Sequence, residues 1–569
     1  MLENRTHRFI SVISVLLVIF GFGLLGIVIT EESSDEKDGL FPLTIKEIHN
    51  AYNSSHFTVE QLARNSLRLQ VDSKLNAFTV VNPFVINEAV KLDHRRVGGK
   101  TLGALAGIPI IIKDSINVSG LPVTLAWAPL SAVAGGTEFI PTADATVVRR
   151  LREAGALIIG KGNTPVFSFS SESANNSWAG PTYNAFNEKF IPGGSSTGVA
   201  TAVAAGIVVL GLAEETGGSI QDPAAAQGIV GVKPTFGLVP NSGAFPLSAS
   251  FLDVIGPHAR TVRDAAVMLD VIAGYDPADP KTETAIGNVP VNGYSEDLDQ
   301  LTLKCARVGL YGEGWRPQGL SQETKELYQG AIKVIERLGA FSVADPFKDS
   351  TFANLVPKDS WKPYLYGMES FAYDLEQYLS ETPSATTINS IDSLIQEVGQ
   401  NPFDDEETKL GTFWKLANLE KLAKGRKQYL DLYSKPLGEE VYTIIDALPM
   451  PVLSDEGPSL SNSMAIREEY LNIFNRVFDD NDIDILVFPQ THSEISTMDA
   501  ISANPSVSSP HVNILGLPVV TIPFGQYQSG VPFSIVFIGK QWSEKHLLSF
   551  AYSFEQSLIN QAGISARDN

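Results

Sequence analysis

Short apolar runs alternate with amphipathic stretches along the first half of the chain. The run Ile108–Ile112 is rich in isoleucine and ends at Lys113, a pattern typical of a buried strand. A helix is predicted next, with Asp144 as its N-cap and Gly155 just past its end, followed by a strand over Ala156–Ile159. Strand, helix and strand in this order predict an α/β fold with a mostly parallel sheet.

The same alternation continues towards the C-terminal end. A helix of small residues is predicted over Thr197–Ala205, and Thr261 with Asp264 has the spacing of a capping box at the start of another helix. Residues 350–475 are aromatic and charged with weak periodicity, which indicates a variable helical region. Two buried strands and a closing helix are predicted in the stretches "DIDILVFPQ", "GLPVVTIPFG" and "SEKHLLSFAYSFEQSL".

The N-terminal segment has a different character. Residues 1–8 are basic, and residues 9–29 form an uncharged apolar run, long enough as a helix to span a bilayer core roughly 30 Å thick. Residues 30–42 form an acidic linker, residues 43–557 the globular domain and residues 558–569 a tail. The pattern predicts an uncleaved transmembrane anchor, with a cleaved signal peptide as the alternative and a core helix as a third interpretation. We therefore expect a membrane-anchored or secreted enzyme with its catalytic domain outside the cytoplasm.

The amino-acid composition argues against a nucleic-acid partner and against disulfide and metal sites. The 569 residues carry a formal net charge of -22, which argues against nucleic acid as a partner because nucleic-acid binding requires lysine and arginine at the phosphates. Cys305 is the one cysteine, so no intrachain disulfide is possible, and its strand-like surroundings predict a buried side chain. The eight histidines are scattered and form no metal-binding motif.

Three features of the chain could carry chemistry. Lys113 closes an apolar run; such a lysine either extends to solvent or is a buried amine with a lowered pKa that can act as a base. The second is "PGGSSTG" at Pro192–Gly198, and the third is "EETGGSI" at Glu214–Ile220. The glycines of the third stretch leave consecutive backbone N–H groups open, as an oxyanion hole requires, although a plain turn would look the same.

The second stretch has a competing interpretation. Gly194, Ser196 and Gly198 satisfy the G-x-S-x-G pattern of the nucleophile elbow in α/β-hydrolases. That elbow follows directly on a buried strand, whereas here the polar sequence "NAFNEKFIP" precedes it. An esterase that uses Ser196 is therefore a weaker alternative.

Long motifs in a fixed order give the chain a resemblance to the amidase signature family of serine hydrolases. They include "GALAGIPIIIKDSINVSGLPVT", "IPGGSSTGVATAVAAGIVVLGLAEETGGSIQDPAA", "FLDVIGPHARTVRDAAVML" and "NILGLPVVTIPFG". The resemblance covers about residues 43–275 and 480–557. It implies a single large domain with a central mixed, mostly parallel β-sheet covered by helices on both faces.

The resemblance also implies roles for individual residues. It assigns Lys113 as the base, Ser195 as the bridging serine behind a non-proline cis peptide, and Ser219 as the nucleophile. It implies no metal and no cofactor. The expected oxyanion donors are the backbone N–H groups of Thr216, Gly217, Gly218 and Ser219.

The implied reaction is hydrolysis of a linear carboxylic amide, other than a peptide bond, through an acyl-serine intermediate. The substrate is a small-molecule amide, which leaves small, peptide and fatty amides open, and a homodimer is a candidate assembly. The alternative within the family is the glutaminase-type subunit of an amidotransferase. Three residues depart from the family pattern: Thr197 and Gln221 replace a glycine and an arginine, and Glu215 replaces an aspartate.

Overall fold

A computed structural model of the chain describes residues 43–99, 103–299, 302–354, 367–408, 410, 460–500 and 506–561. The predicted hydrophobic helix over residues 9–29 lies outside these ranges, together with the basic segment before it and the acidic linker after it. Within the described ranges, no helix combines the length and the apolar character needed to cross a membrane.

Helices and strands alternate through the first half of the domain, as the apolar pattern predicts. In chain order the first elements are α1 Ile45–Asn53, α2 Val59–Asp72, β1 Phe78–Val81, α3 Val85–Val97, β2 Pro109–Lys113, α4 Thr146–Glu153, β3 Leu157–Gly162, α5 Thr197–Ala204, β4 Leu210–Glu215, α6 Gln221–Ala226, β5 Val230–Lys233, β6 Val254–Ala259 and α7 Val262–Ile272. The remaining described elements are β7 Arg307–Leu310, α8 Gln322–Arg337, β8 Phe341–Val343, α9 Phe371–Glu381, α10 Ile391–Val398, α11 Leu460–Asn481, β9 Ile485–Pro489, α12 His511–Ile514, β10 Val519–Gln526, β11 Pro532–Ile538 and α13 Glu544–Gln561.

The described strands form one mixed sheet. Their order is β1-β3-β2-β4-β6-β5-β10-β11-β9-β7-β8. Parallel pairing joins β2 to β3 and β4, and β7 to β8 and β9. The other six pairings are antiparallel, so the prediction of a mostly parallel sheet is wrong, although the prediction of a mixed sheet is confirmed.

A short connection accounts for one of the six antiparallel pairings, that of β10 with β11. Strands β10 and β11 are joined by a five-residue loop, 527–531, and a loop of that length can only return the chain antiparallel. A parallel connection needs a longer crossover, such as the one that α4 provides between β2 and β3. One such crossover does not determine the direction of the other strands, most of which pair with strands distant in the chain.

The structure confirms one predicted helix N-cap and contradicts another, and it contradicts the predicted burial of the cysteine. Thr261 caps α7 by accepting a hydrogen bond from the Asp264 N–H at 3.1 Å, which confirms that helix start. Asp144 does not cap α4, because Ala145 holds the N-cap position and Asp144 instead pairs with Arg152 at 3.1 Å. Cys305 is exposed rather than buried.

The pairing of β2 with β4 positions the candidate chemistry. These strands are parallel neighbours, with Ile112 opposite Leu212, so their carboxyl ends lie at the same edge of the sheet. Lys113 ends β2 and Glu215 ends β4, and both strands are buried along their whole length. The two sequence motifs, about 100 residues apart in the chain, therefore meet at one place.

Helix α5 packs so closely on the sheet that it excludes even a methyl group at one position. A Cβ atom on Gly198 would lie 2.0 Å from the Ala77 carbonyl oxygen and 2.4 Å from the Asn163 backbone nitrogen. We expect Gly198→Ala to lower the free energy of unfolding by about 1–3 kcal/mol because backbone atoms must move to admit the side chain. Urea unfolding monitored by circular dichroism measures this loss.

Gly319→Ala is the matched control for this prediction. Gly319 is exposed, and a Cβ atom there would have no neighbour within 4 Å. The free energy of unfolding of the Gly319→Ala variant should stay within about 0.5 kcal/mol of the wild-type value. Equal stability of the two variants would contradict the close packing of α5.

Candidate active site

The buried lysine at the end of β2 is the centre of the site. Lys113 is 1% exposed, and its Nζ donates hydrogen bonds to Ser195 Oγ at 2.8 Å and to the Glu214 carbonyl oxygen at 3.0 Å. Burial lowers the pKa of Lys113, and the nearby Glu214 acts in the opposite direction. The side chain is therefore a buried amine, not one that extends to solvent.

Ser195 lies directly before α5. The peptide bond between Gly194 and Ser195 is cis, as the family resemblance implies. The Ser195 carbonyl accepts a hydrogen bond from Thr164 Oγ1 at 2.9 Å, which ties this segment to the end of β3. The serine is buried, so its hydroxyl faces the Lys113 amine away from solvent.

Ser219 follows β4 in a glycine turn. Its carbonyl accepts a hydrogen bond from the Ser196 N–H at 3.3 Å, which places the two serine segments side by side. Gly218 has φ +122, and a Cβ atom there would lie 2.4 Å from Asp222 Oδ2, so the turn requires glycine at this position. Ser219 itself is half-buried and lines a cavity.

The turn leaves backbone donors open. Among the described residues, the N–H groups of Gly217, Gly218 and Ser219 donate to no other protein atom. Thr216, the first residue of the predicted oxyanion group, is fixed through its side chain, which donates to Asp253 Oδ1 at 2.6 Å. Adjacent free donors beside a serine are the arrangement that binds an oxyanion.

The Glu215 carboxylate fixes the glycine turn through hydrogen bonds rather than through an ion pair. Its carboxylate accepts from the Ile220 N–H at 2.8 Å and from Gln221 Nε2 at 2.6 Å. Asn513 Nδ2 adds a further hydrogen bond at 2.6 Å. Gln221 therefore fills the position of the family's arginine with a neutral donor. Asn513, far away in the chain, is a supporting residue that the sequence analysis missed.

The alternative nucleophile Ser196 has a structural environment of its own. Its Oγ donates to the Glu214 carbonyl oxygen at 3.1 Å and accepts from the Glu214 N–H at 3.3 Å. Ser196 stands at the N-cap of α5, and the segment before it is not a described strand. The strand–serine–helix geometry of a nucleophile elbow is therefore not present at this position.

Acidic side chains next to Lys113 are the second feature that the sequence analysis missed. Glu214 Oε2 lies 3.9 Å from Lys113 Nζ and accepts a very short hydrogen bond from Ser115 Oγ. Burial raises the pKa of the Glu214 carboxyl, and burial together with Glu214 raises the pKa of Asp253 to about 7. The two consecutive glutamates before the glycines were the signal in the sequence, but the chain alone did not show which of them faces the lysine.

A cavity of about 320 Å³ opens in front of Ser219. Its apolar wall comes from four separate segments of the chain, which contribute Phe169, Leu247, Met368 and Ile514 among others. Glu172 is the charged side chain among the described residues that line it, and Ser170 Oγ donates to that carboxylate at 2.8 Å. The space suits a small amide with an apolar part.

No described group of three or more histidine, cysteine, aspartate and glutamate side chains is arranged to hold a metal ion. The groups brought together at the site are instead a buried amine, two serines, a glycine turn and two acids. A serine next to a buried amine is the arrangement that nucleophilic catalysis assisted by an adjacent base requires.

Solved structures with the same fold include a peptide amidase. The peptide amidase from Stenotrophomonas maltophilia is 28% identical in sequence, and the match covers 90% of this chain and 96% of that one with a TM-score of 0.68. A glutamyl-tRNA(Gln) amidotransferase subunit from Thermotoga maritima matches with a TM-score of 0.63 over 92% of this chain and 96% of that one. At 23% identity, this second match shows the fold alone.

Sequence relatives overturn the predicted location of the protein. A glutamyl-tRNA(Gln) amidotransferase subunit of Alkaliphilus metalliredigens is 33% identical over 533 residues, which span 91% of this chain and 96% of the relative. That protein is named as one component of an enzyme for a charged tRNA, and a cyanobacterial relative has the same name. The prediction of a membrane-anchored or secreted enzyme with an extracytoplasmic catalytic domain is therefore wrong.

The family model described as Amidase matches residues 63–548 of the chain. The matched range contains both serine segments, the lysine that ends β2 and the glycine turn. The chain therefore belongs to the amidase family, whose signature its motifs resemble.

Proposed function

We propose that the protein hydrolyses a carboxylic amide through an acyl-enzyme formed on Ser219. The 2.8 Å contact between Lys113 Nζ and Ser195 Oγ is the observation that carries this proposal. A buried amine whose pKa is lowered can remain neutral and accept a proton from the hydroxyl it contacts. Ser195 is then the link that connects this base to the cavity serine.

The proposed reaction has two halves. Ser219 Oγ attacks the carbonyl carbon of the amide while its proton passes to Ser195 and the Ser195 proton passes to Lys113. The N–H groups of the glycine turn stabilise the oxyanion, and each such donor contributes about 3 kcal/mol in comparable sites. The proton then returns through Ser195 to the leaving nitrogen, and ammonia or an amine departs.

The second half regenerates the enzyme. Water attacks the acyl-serine ester, and its proton follows the same path to Lys113. The new oxyanion collapses to the carboxylic acid as Ser219 recovers its proton from Lys113 through Ser195, and the acid loses its remaining proton to solvent to give the carboxylate product. The chain's own residues supply all the proton transfers in this scheme.

A glutaminase-type amidotransferase component is the second candidate. The names of the relatives favour it over a free-standing amidase, because they match across 90% or more of the chain at 30–33% identity. In that case glutamine is the amide, the same serine forms the acyl-enzyme, and the released ammonia passes to a partner protein. The described cavity wall favours the free-standing reaction instead, since its charged residue is Glu172, which attracts a cationic amide more strongly than glutamine, whose carboxylate offsets its ammonium.

Replacement of the two serines tests the nucleophile. Ser219→Ala should abolish amide hydrolysis and labelling by a fluorophosphonate probe, because the probe forms its bond with the activated hydroxyl and releases fluoride. Ser195→Ala should lower kcat by about 10²–10⁴-fold through loss of the proton path. The readouts are ammonia release and the mass of the labelled peptide.

Ser196→Ala is the matched control for this experiment. Its hydroxyl bonds only to the Glu214 backbone among the described atoms, so labelling at position 219 should persist. Hydrolysis that survives Ser219→Ala and disappears in Ser196→Ala would reject the assignment.

The pH profile tests the base. The reactive form is the Lys113 amine, so kcat/KM should rise with pH as the ammonium loses its proton. Because burial lowers the pKa of Lys113, the midpoint should lie below the ordinary lysine value of 10.5. A midpoint at or above that value would show that the lysine is not the buried base, and the Ser219→Ala enzyme supplies the background rate.

A panel of amides separates the two candidate substrates. We expect the chain to release ammonia faster from argininamide and leucinamide than from L-glutamine, because the two amino acid amides carry a net positive charge that Glu172 attracts, whereas glutamine also carries a carboxylate that Glu172 repels. Glu172→Gln should reduce the preference for argininamide over leucinamide by about tenfold, the value of one charge-assisted hydrogen bond.

Glu153→Gln is the control for the loss of one negative charge, since the Glu153 side chain is 61% exposed on α4. The Glu153→Gln variant should keep the wild-type preference for argininamide over leucinamide. Faster release from L-glutamine than from the other two amides would establish the glutaminase-type candidate instead.

A further inference from the structure

Glu214 faces the Lys113 amine with both its carboxylate and its backbone. The carbonyl oxygen of Glu214 accepts a hydrogen bond from Nζ at 3.0 Å, and its Oε2 lies 3.9 Å from the same nitrogen. The two side chains are 2% and 6% exposed. Within the described part of the chain, Glu214 is the acid that lies within ion-pair distance of this lysine.

The position of the Glu214 side chain is fixed from a second direction. Ser115 Oγ donates a very short hydrogen bond to Oε2, and Ser115 follows Lys113 by two residues. The Glu214 N–H and carbonyl are both held by Ser196 Oγ. Strand β4, the loop after β2 and the start of α5 therefore all hold Glu214 against the lysine.

Other ionisable groups around the pair already have partners of their own. Asp253 accepts from Thr216 Oγ1 and from two backbone N–H groups, and Glu215 accepts four hydrogen bonds from the nucleophile turn and Asn513. Lys281 pairs with Asp279 at 2.9 Å. Asp253 and Glu215 act on Lys113, and Lys281 acts on Glu214, through their charges. The buried hydroxyl of Tyr378 is neutral and donates to Asn117 Oδ1 at 2.7 Å.

This arrangement matters at one moment of the reaction. When Lys113 accepts the Ser195 proton it becomes a buried ammonium, and an unpaired buried charge is strongly unfavourable. A carboxylate within 4 Å stabilises that charge. Burial alone would make the amine a weaker base, and the Glu214 charge acts against that loss.

We propose that Glu214 is a positioning residue that stabilises the ammonium form of Lys113 after the amine has taken the Ser195 proton. This role rests on the proposed function of Ser219, Ser195 and Lys113. Glu214 neither gains nor loses a proton in the cycle: the proton moves from Ser195 to Lys113 and returns to the leaving nitrogen. The carboxylate contacts no substrate and acts only through the lysine.

Glu214→Gln tests this role because it keeps the shape and the acceptor for Ser115 while it removes the charge. Without that charge the pKa of Lys113 falls further, so the acidic limb of the pH profile should move about 1 pH unit to lower pH. The plateau rate should also fall by about 10–100-fold, because a weaker base transfers the proton less readily. The measurement is the rate of fluorophosphonate labelling at Ser219 as a function of pH, with kcat/KM for the best amide of the panel alongside.

The controls separate this role from a structural one. Glu544→Gln removes another buried carboxylate, whose Oε1 accepts from the Thr235 N–H at 2.7 Å, and its acidic limb should coincide with that of the wild type. If Glu214→Gln does not fold, Ser115→Ala replaces it: loss of the hydroxyl raises the pKa of Glu214 and should move the limb in the same direction.

The outcomes are distinct. A lower plateau with an unmoved limb would show that Glu214 is merely structural and would overturn the inference. Absence of Ser219 labelling in the wild-type enzyme would reject the proposed function itself, whatever the variants do.

Discussion

The hydrogen bond between the Lys113 amine and the Ser195 hydroxyl is the constraint on which the candidate site depends. A lysine can be a base near neutral pH only if burial makes its charged form unfavourable, and Lys113 is nearly inaccessible to water. Burial of an amine is tolerated only when its hydrogen-bonding groups have partners. Ser195 Oγ and the Glu214 carbonyl oxygen provide them, and both are held by the two parallel strands and the helix that meet there.

The glycine turn after β4 adds a second constraint, which acts on the backbone. Gly218 has φ +122, and a Cβ atom at this position would meet Asp222, so the turn can form only with glycine. This conformation leaves the N–H groups beside Ser219 without protein acceptors among the described atoms. Glu215 fixes the turn by accepting backbone and amide N–H groups, and it does so without the arginine common in the family.

The charges of nearby acidic residues act against the effect of burial on the Lys113 amine. Burial lowers the pKa of Lys113, and the Glu214 charge opposes that effect. Burial and Glu214 also raise the pKa of Asp253 to about 7. The pKa of the Lys113 amine thus results from two opposing effects that have their origin in the same buried edge of the sheet. Gly198 and its neighbours in α5 maintain this edge through close packing against the Ala77 and Asn163 backbone.

The sequence by itself determined the family, the α/β class and the three segments of the site. These follow from local information: an isoleucine run ending in Lys113, paired glycines before two serines, and long motifs in a fixed order. The tertiary structure alone decided that most strand pairings are antiparallel, that Asn513 supports the glycine turn through Glu215, and that Glu214 rather than Glu215 faces the amine. The physical reason is that strand order, and contacts between residues 100 to 300 positions apart, arise from packing the whole chain into one core. The identities of neighbouring residues in the sequence do not specify that packing.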